Sequence, residues 1–258
     1  MKAYLTHLGK KFLGALHYAG GTMILGTKAL VGLFLPPFKR RQVIAQMSKI
    51  GVDSIFIVSL ISLFTGIVLV FQSAYQLQKL GAERFIADLV ALTMCRELGP
   101  VFTALIIAGR AGASISAEIG TMKVTEQIDA LQTMSADPVK YLVVPRLLAL
   151  LTMVPLLTIY ADFIGILGGY IVAIWKMGIT SSMFINSSIK ALVVKDVFTG
   201  LFKSLIFAMV ICIVSCYEGL NAEGGAEGVG KATTQAVVIS FVLVIATDCL
   251  FTALFYFV

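Results

Sequence analysis

Five long stretches of this chain are almost wholly apolar, and each is long enough to cross a lipid bilayer as a helix. A spanning helix needs about 17–25 residues, because the hydrocarbon core is about 30 Å thick and an α-helix rises about 1.5 Å per residue. The stretches are residues 54–71, 89–107, 147–173, 197–217 and 234–258. The sequence therefore predicts an all-α integral membrane protein with five transmembrane helices.

The composition excludes most classes of soluble protein. Apolar residues make up 59% of the chain and charged residues only 13%, and the mean hydropathy is +0.96. An ordinary soluble domain is about 45–50% apolar and about 25% charged. Although the formal net charge is +6, such a chain is neither disordered nor a nucleic-acid-binding domain. We therefore expect no nucleic acid partner.

The basic residues indicate the orientation of the chain. Basic residues that flank a span favour the cytoplasmic side of the membrane. Eight of the 20 basic residues precede the first predicted span, namely Lys2, Lys10, Lys11, Lys28, Lys39, Arg40, Arg41 and Lys49. The amino terminus is therefore predicted to be cytoplasmic, and five crossings place the carboxyl terminus on the outer, periplasmic side.

Residues 1–50 are predicted to form a separate amino-terminal region, followed by a five-span domain over residues 51–258. An apolar stripe at helical spacing, opposite the lysines, is typical of a helix that lies in the membrane interface. The stripe consists of Leu5, Leu8, Phe12 and Leu16. Residues 23–35 are too short to span with ease. They could be interfacial, re-entrant or a sixth span, and the sequence leaves these three possibilities open.

Five charged residues lie inside the predicted spans: Arg96, Glu97, Asp162, Lys203 and Asp248. At the helical rise, Arg96 and Lys203 lie about 10 Å and about 9 Å below the outer surface, and Asp248 about 15 Å. Charges at such depths are costly and are usually functional. Three interpretations are open: a polar layer that lines a substrate cavity, an ion-pair network that fixes helix packing, and a proton relay.

The segment over residues 118–137 is predicted to be a cytoplasmic amphipathic helix between the second and third spans. Acidic residues alternate there with an apolar stripe, and the set includes Glu118, Glu126, Ile128, Asp129 and Leu131. Such a helix can lie on the membrane surface or dock into a groove of a soluble partner. The preceding residues 108–117 are mostly Gly, Ala and Ser, which favours close helix packing within one subunit or in a homodimer.

No cofactor or metal site is expected in this chain. Residues 225–231 read G-x-x-x-x-G-K, the start of a phosphate-binding loop, but Ala232 stands where Ser or Thr would hold magnesium. Cys212 and Cys216 share a helix face, but a metal site would need further ligands. If the protein uses ATP, another chain binds it.

Three strings carry a resemblance to a known family. They are CRELGPVFTALIIAGRAGASISAEIGTMKVTEQIDAL, MSADPVKYLVVPR and GAEGVGKATTQAVV. Together with the hydropathy profile of residues 47–258, they resemble the MlaE-type (YrbE-like) permeases of ATP-binding-cassette lipid transporters. The amino-terminal region resembles the family only in its general character and not in motif strings.

The resemblance implies a permease homodimer in the inner membrane of a Gram-negative cell. Its implied partners are a cytoplasmic ATPase subunit that holds ATP and magnesium, a STAS-type regulatory subunit and a periplasmic ring of MCE domains. The implied substrates are glycerophospholipids, moved between the inner and outer membranes to maintain outer-membrane lipid asymmetry. The helix around Glu126, Ile128, Asp129 and Leu131 would be the coupling helix that meets the ATPase.

The resemblance also implies a lipid pocket lined by the end of the first span and by charged residues of the later spans. The implied residues are Leu69, Leu77, Leu80, Arg96, Glu97, Lys203 and Asp248. On this interpretation the chain is a transport subunit without catalytic residues. The alternative is an ion- or proton-coupled secondary transporter or channel that uses the buried charges.

Overall fold

The computed structural model describes residues 2–34 and 40–257, and this part of the chain contains helices but no strand. The side chains of residues 2–12, which include Leu5, Leu8 and Phe12 of the predicted stripe, lie outside the described part, as does Lys39. The α-helices are α1 (Lys2–Gly32), α2 (Arg40–Ile50), α3 (Ile55–Gln78), α4 (Ile86–Thr93), α5 (Gly99–Ile107), α6 (Ala113–Val124), α7 (Gln127–Thr133), α8 (Val144–Trp175), α9 (Ser181–Ala191), α10 (Val194–Leu220) and α11 (Gly225–Phe257).

Five helical runs in the described residues are long and apolar enough to cross a membrane. Span 1 is Arg40–Gln78, span 2 is Glu83–Val124, span 3 is Val139–Trp175, span 4 is Val194–Leu220 and span 5 is Gly225–Phe255. They contain the five apolar stretches of the sequence, apart from the last residues of the fifth. The all-α membrane fold with five spans is therefore confirmed.

The amino-terminal helix α1 is one continuous helix of 31 residues. The residues of the predicted interfacial stripe and residues 23–32 belong to this same helix, which continues through Gly20 and Gly21. Leu25 and Ala29 are buried in the main core, and Gly26 lies against Ile213 of α10. This packing stabilises a helix that its glycines alone would weaken.

Spans 1 and 3 approach each other closely through glycines. A Cβ atom on Gly66 of α3 would overlap the backbone carbonyl of Gly165 in α8, and one on Gly168 would overlap the backbone of Leu63. Small residues let membrane helices make backbone contact. The α3–α8 contact therefore depends on these glycines.

Span 2 is interrupted by two π-helical turns, Met94–Leu98 and Ala108–Gly112. Such turns are rare and often occur at functional sites. The Gly-, Ala- and Ser-rich stretch that contains the second turn packs within the subunit, since Gly112 lies against Ser215 of α10. One of the two predicted uses of this stretch is thus observed.

The segment over residues 118–137 is two helices and not one. Helix α6 ends at Val124, Glu126 takes a left-handed backbone conformation with φ of 59°, and α7 begins at Gln127. A left-handed residue cannot continue a right-handed helix. Glu118 therefore belongs to the end of span 2, and only α7 belongs to the connection.

Candidate functional site

Lys203 of α10 is the centre of a charged cluster formed by three spans. Its Nζ atom lies 2.5 Å from Glu97 Oε2 of span 2 and 2.9 Å from Asp248 Oδ1 of span 5. It also donates a hydrogen bond of 2.7 Å to Thr252 Oγ1. The Lys203 side chain is 0% exposed, whereas Glu97 and Asp248 are 28% and 20% exposed. Two carboxyl groups from two different spans thus share one ammonium group.

Arg96 makes a separate ion pair with Asp196, at the start of α10. Arg96 Nε donates a hydrogen bond of 2.7 Å to Asp196 Oδ1, and a second guanidinium nitrogen contacts the same oxygen. Asp196 Oδ2 also accepts a hydrogen bond from the backbone N–H of Val193. Arg96 and Glu97 thus bind two residues of one helix, Asp196 and Lys203, which are seven positions, or about two turns, apart.

The structure therefore brings together three of the four charged residues that the sequence predicted to meet. Glu97, Lys203 and Asp248 are in contact, while Arg96 lies beside them with a partner of its own. Sequence reasoning missed Asp196 because it lies just before the apolar stretch at 197–217. The seven-residue spacing of Asp196 and Lys203 was the available signal. Thr252 gave no signal, since threonine is common in membrane helices.

The three predicted pocket leucines lie at the end of span 1 and beyond it. Leu69 and Leu77 are partly buried against a core cluster that includes Val70, Val90 and Phe184. Leu80 follows the end of α3 and is 77% exposed. Of the three, Leu80 is the most accessible to a ligand.

Glu118 takes part in a second charged network, near the other end of span 2. Arg146 of α8 donates a hydrogen bond of 3.0 Å to Glu118 Oε2, and Lys49 of α2 contacts Oε1. Arg110 Nη2 donates a hydrogen bond of 2.7 Å to the backbone carbonyl of Lys49 and lies 3.5 Å from Asp53 Oδ2. The carboxylate of Glu118 is thus engaged by spans 1 and 3 of its own chain.

The predicted coupling residues on α7 and the turn before it divide into two groups. Ile128 is buried in the main core and Leu131 packs against it, so the apolar stripe contacts this chain itself. Glu126 and Asp129 are exposed, and Asp129 lies 3.1 Å from Lys123. The surface available to a partner is therefore acidic, with the exposed Met134 nearby.

The motif at residues 225–231 forms the first turns of α11. A phosphate-binding loop would instead curl between a strand and a helix. Among the described residues there is also no group of three or more His, Cys, Asp or Glu side chains that could hold a metal ion.

Comparison with known proteins decides the family. The family described as Permease MlaE matches residues 43–254, which is most of the chain. This chain belongs to the MlaE permease family. The family resemblance found in the sequence is therefore confirmed.

Three relatives show how far the similarity extends. The MlaE-family chain is 45% identical over 228 residues, 88% of each protein, to a probable ABC transporter permease protein of Rickettsia prowazekii. It is 36% identical over 261 residues to the intermembrane phospholipid transport system permease protein MlaE of Haemophilus influenzae, covering 98% of this chain and 97% of that one. It is 35% identical to the chloroplastic protein TRIGALACTOSYLDIACYLGLYCEROL 1 of Arabidopsis thaliana, covering 84% of this chain and 62% of the plant protein.

Proposed function

We propose that this chain is the permease subunit of an ATP-binding-cassette transporter that moves glycerophospholipids between the inner and outer membranes, and so maintains outer-membrane lipid asymmetry. Membership of the MlaE family and the name of the Haemophilus influenzae relative support the transporter class and the phospholipid substrate. The observation that carries the proposal is the charged cluster of Glu97, Lys203 and Asp248 inside the membrane spans.

The charged residues suit the polar part of a lipid. Arg96 is 32% exposed although its partner Asp196 is only 5% exposed, and a guanidinium group is the side chain best suited to bind a phosphate. The side chains of Glu97 and Asp248 are partly exposed, and a carboxylate can accept hydrogen bonds from a headgroup. We propose that Arg96, Glu97, Lys203 and Asp248, with Leu69, Leu77 and Leu80, line the lipid pocket.

An ion- or proton-coupled secondary transporter is the competing function. The same buried charges could bind a cation or relay protons. Similarity to ABC transporter permeases over most of the chain favours an ATP-driven mechanism. Many secondary transporters also consist of two related repeats, and five spans do not divide into two equal repeats.

The proposed assembly is a homodimer in the inner membrane. Span 5 is the least buried of the five spans. Within the chain, 11% of its most apolar segment is buried, against 28% or more in the other four spans. That leaves a large apolar surface for a second subunit or for lipid. The further proposed partners are an ATPase that holds ATP and magnesium, a STAS-type subunit and a periplasmic ring of MCE domains.

Lipid crosslinking tests the proposal. A photoreactive residue at Leu77 or Leu80 should capture phospholipid in the full-length chain, and Glu97→Gln should reduce the capture while the protein still assembles. Glu97→Gln is isosteric and leaves Lys203 paired with Asp248, so folding should survive. For Arg96, the variant is Arg96→Ala combined with Asp196→Asn, because Arg96→Ala alone would leave a buried carboxylate unpaired.

The matched control is Arg41→Ala, which removes an exposed arginine from α2, far along the chain from the cluster. It should leave both crosslinking and the detergent resistance of the outer membrane unchanged. Full crosslinking and full resistance in both cluster variants would contradict the pocket. An ion-dependent current from a lipid-free oligomer would favour the secondary transporter.

A further inference from the structure

Asp162 lies inside span 3 and differs from the other carboxylates of the membrane core. Glu97, Asp196 and Asp248 each have a basic partner. Asp162 has no ion pair in the described structure, and its buried Oδ1 atom has no hydrogen-bond partner. It lies 13 residues before Trp175, the end of α8, or about 20 Å along the helix.

Asp88 also has a buried oxygen without a hydrogen-bond partner, but its position is different. It lies only five residues after Glu83, the start of span 2. A carboxylate so close to a helix end can reach the hydrated interface. Asp162 lies too far from either end of its span to do so.

The carboxyl group of Asp162 packs against the backbone of span 2. A Cβ atom on Gly99 would overlap Asp162 Oδ1, so only glycine leaves room for the carboxyl group there. The carbonyl oxygen of Met94 lies 2.9 Å from the same Cβ position. Met94 opens the π-helical turn Met94–Leu98, which carries Arg96 and Glu97.

The other charged and titratable groups near this contact do not neutralise an ionised Asp162. Arg96, the cation of the π-helical turn, is held by Asp196, and Lys203 is held by Glu97 and Asp248. An ionised Asp162 would therefore be a buried charge without compensation, and proteins avoid such charges by protonation.

We propose that Asp162 is a neutral carboxylic acid in the folded protein, and that it donates a hydrogen bond to a backbone carbonyl of the π-helical turn Met94–Leu98. A π-helical turn inserted in an α-helix shifts the hydrogen-bond register, so a carbonyl there can accept an additional donor. The bond ties span 3 to the turn that presents Arg96 and Glu97. Asp162 is thus a positioning residue for the lipid pocket, and this part of the inference rests on the proposed function.

Isotope-edited infrared spectroscopy tests the protonation state without any reference to transport. The full-length chain, labelled at aspartate and reconstituted in lipid bilayers at neutral pH, should show the carbonyl stretch of a protonated carboxylic acid. That band should be lost in Asp162→Asn and retained in Asp53→Asn, which removes an exposed carboxylate. A wild-type spectrum without such a band, or a band that Asp162→Asn leaves unchanged, overturns the proposal.

The positioning role is tested by comparing a donor with an apolar residue of similar size. Asp162→Asn keeps a hydrogen-bond donor and should retain lipid crosslinking at Leu77 or Leu80. Asp162→Leu should reduce it by about fivefold, the effect of one lost buried hydrogen bond. Equal crosslinking in the two variants would contradict the positioning role.

The two failures can be told apart. If Asp162→Leu does not assemble, the infrared band of the wild-type protein still decides the protonation state, and crosslinking in Asp162→Asn still tests the donor. If the wild-type protein captures no lipid, the proposed function fails while the infrared result stands.

Discussion

At the scale of single residues, Lys203 decides how the charged cluster is held together. Its ammonium group is completely buried and contacts two carboxylates from two other spans. Each carboxylate keeps some exposure and can be partly hydrated, whereas Lys203 cannot. The buried cation therefore stabilises the cluster, and the partly exposed side chains of Glu97 and Asp248 are the part available to a ligand.

Replacing Lys203 should be far more harmful than replacing either carboxylate. We expect Lys203→Met to destabilise the protein by about 3–5 kcal/mol, because Glu97 and Asp248 would then face each other without a cation. Glu97→Gln should cost only about 1–2 kcal/mol, because one carboxylate still pairs with Lys203. Thermal unfolding monitored by size-exclusion chromatography in detergent measures the difference.

The control is Lys195→Met, which removes an exposed lysine from the same helix. It should change the melting temperature little, since exposed ion pairs contribute at most about 1 kcal/mol. If Lys203→Met is as stable as Lys195→Met, Lys203 does not hold the cluster together.

At the scale of helices, close packing at glycines brings spans 1 and 3 together. Their interface relies on backbone contact at Gly66, Gly165 and Gly168. In a membrane the lipid is as apolar as the helices, so the hydrophobic effect does not drive the helices together. Close van der Waals contact supplies the stabilisation instead. The second helical feature is the turn at Glu126, which separates span 2 from α7.

A methyl group at Gly66 should therefore separate the two spans. Gly66→Ala places a Cβ atom on the Gly165 carbonyl, and we expect a loss of about 1–3 kcal/mol from overpacking. Gly230→Ala is the matched control, because Gly230 is also within a helix but has open space around its Cβ position. That substitution should be neutral or stabilise by up to about 1 kcal/mol. Equal melting temperatures for the two variants would show that the α3–α8 contact is not close.

Charge reversal at the turn should weaken the proposed contact with an ATPase subunit. Glu126 and Asp129 are the exposed acidic residues of the predicted coupling segment, so Glu126→Lys and Asp129→Lys should lower the amount of ATPase that co-purifies. Reversal should be worse than truncation to alanine, because it adds repulsion to the loss of attraction. Lipid content and dimer formation should not change. Full ATPase recovery with both reversals would place this turn on the membrane surface instead.

At the scale of the whole molecule, the two charged networks lie towards opposite ends of span 2. Glu97 lies in the first half of that span, and Glu118 lies near its end. If the amino terminus is cytoplasmic, as the basic residues predict, the Lys203 cluster would lie in the outer half of the membrane and the Glu118 network near the cytoplasm. The proposed lipid pocket and the proposed ATPase contact would then be on opposite sides of the bilayer.

Thiol labelling in cells checks this orientation. In a Cys249→Ser background, which removes the exposed cysteine, a cysteine at Gly225 should react with a membrane-impermeant reagent only after the inner membrane is permeabilised. A cysteine appended after Val258 should react in intact spheroplasts. The opposite labelling pattern would invert the orientation and place the Lys203 cluster in the cytoplasmic half.

The sequence by itself determined the five spans, because hydropathy is a sum over neighbouring residues and the length of a helix follows from its number of residues. The depth of the charges in the membrane stays a prediction. The motif strings also determined the family. Only the tertiary structure decided which charges meet. Arg96 and Glu97 are adjacent, but the π-helical turn and the rotation between neighbours direct them to different partners, Asp196 and Lys203.

The direction of an apolar stripe was likewise decided by tertiary structure. Ile128 and Leu131 have the spacing of a docking surface, but the left-handed turn at Glu126 folds α7 back so that the stripe packs on the chain's own core. Periodicity indicates that a helix has an apolar face, and the partner of that face depends on the path of the chain before it. The same holds for Asp162, whose isolation follows from the helices packed around it and not from its neighbours in sequence.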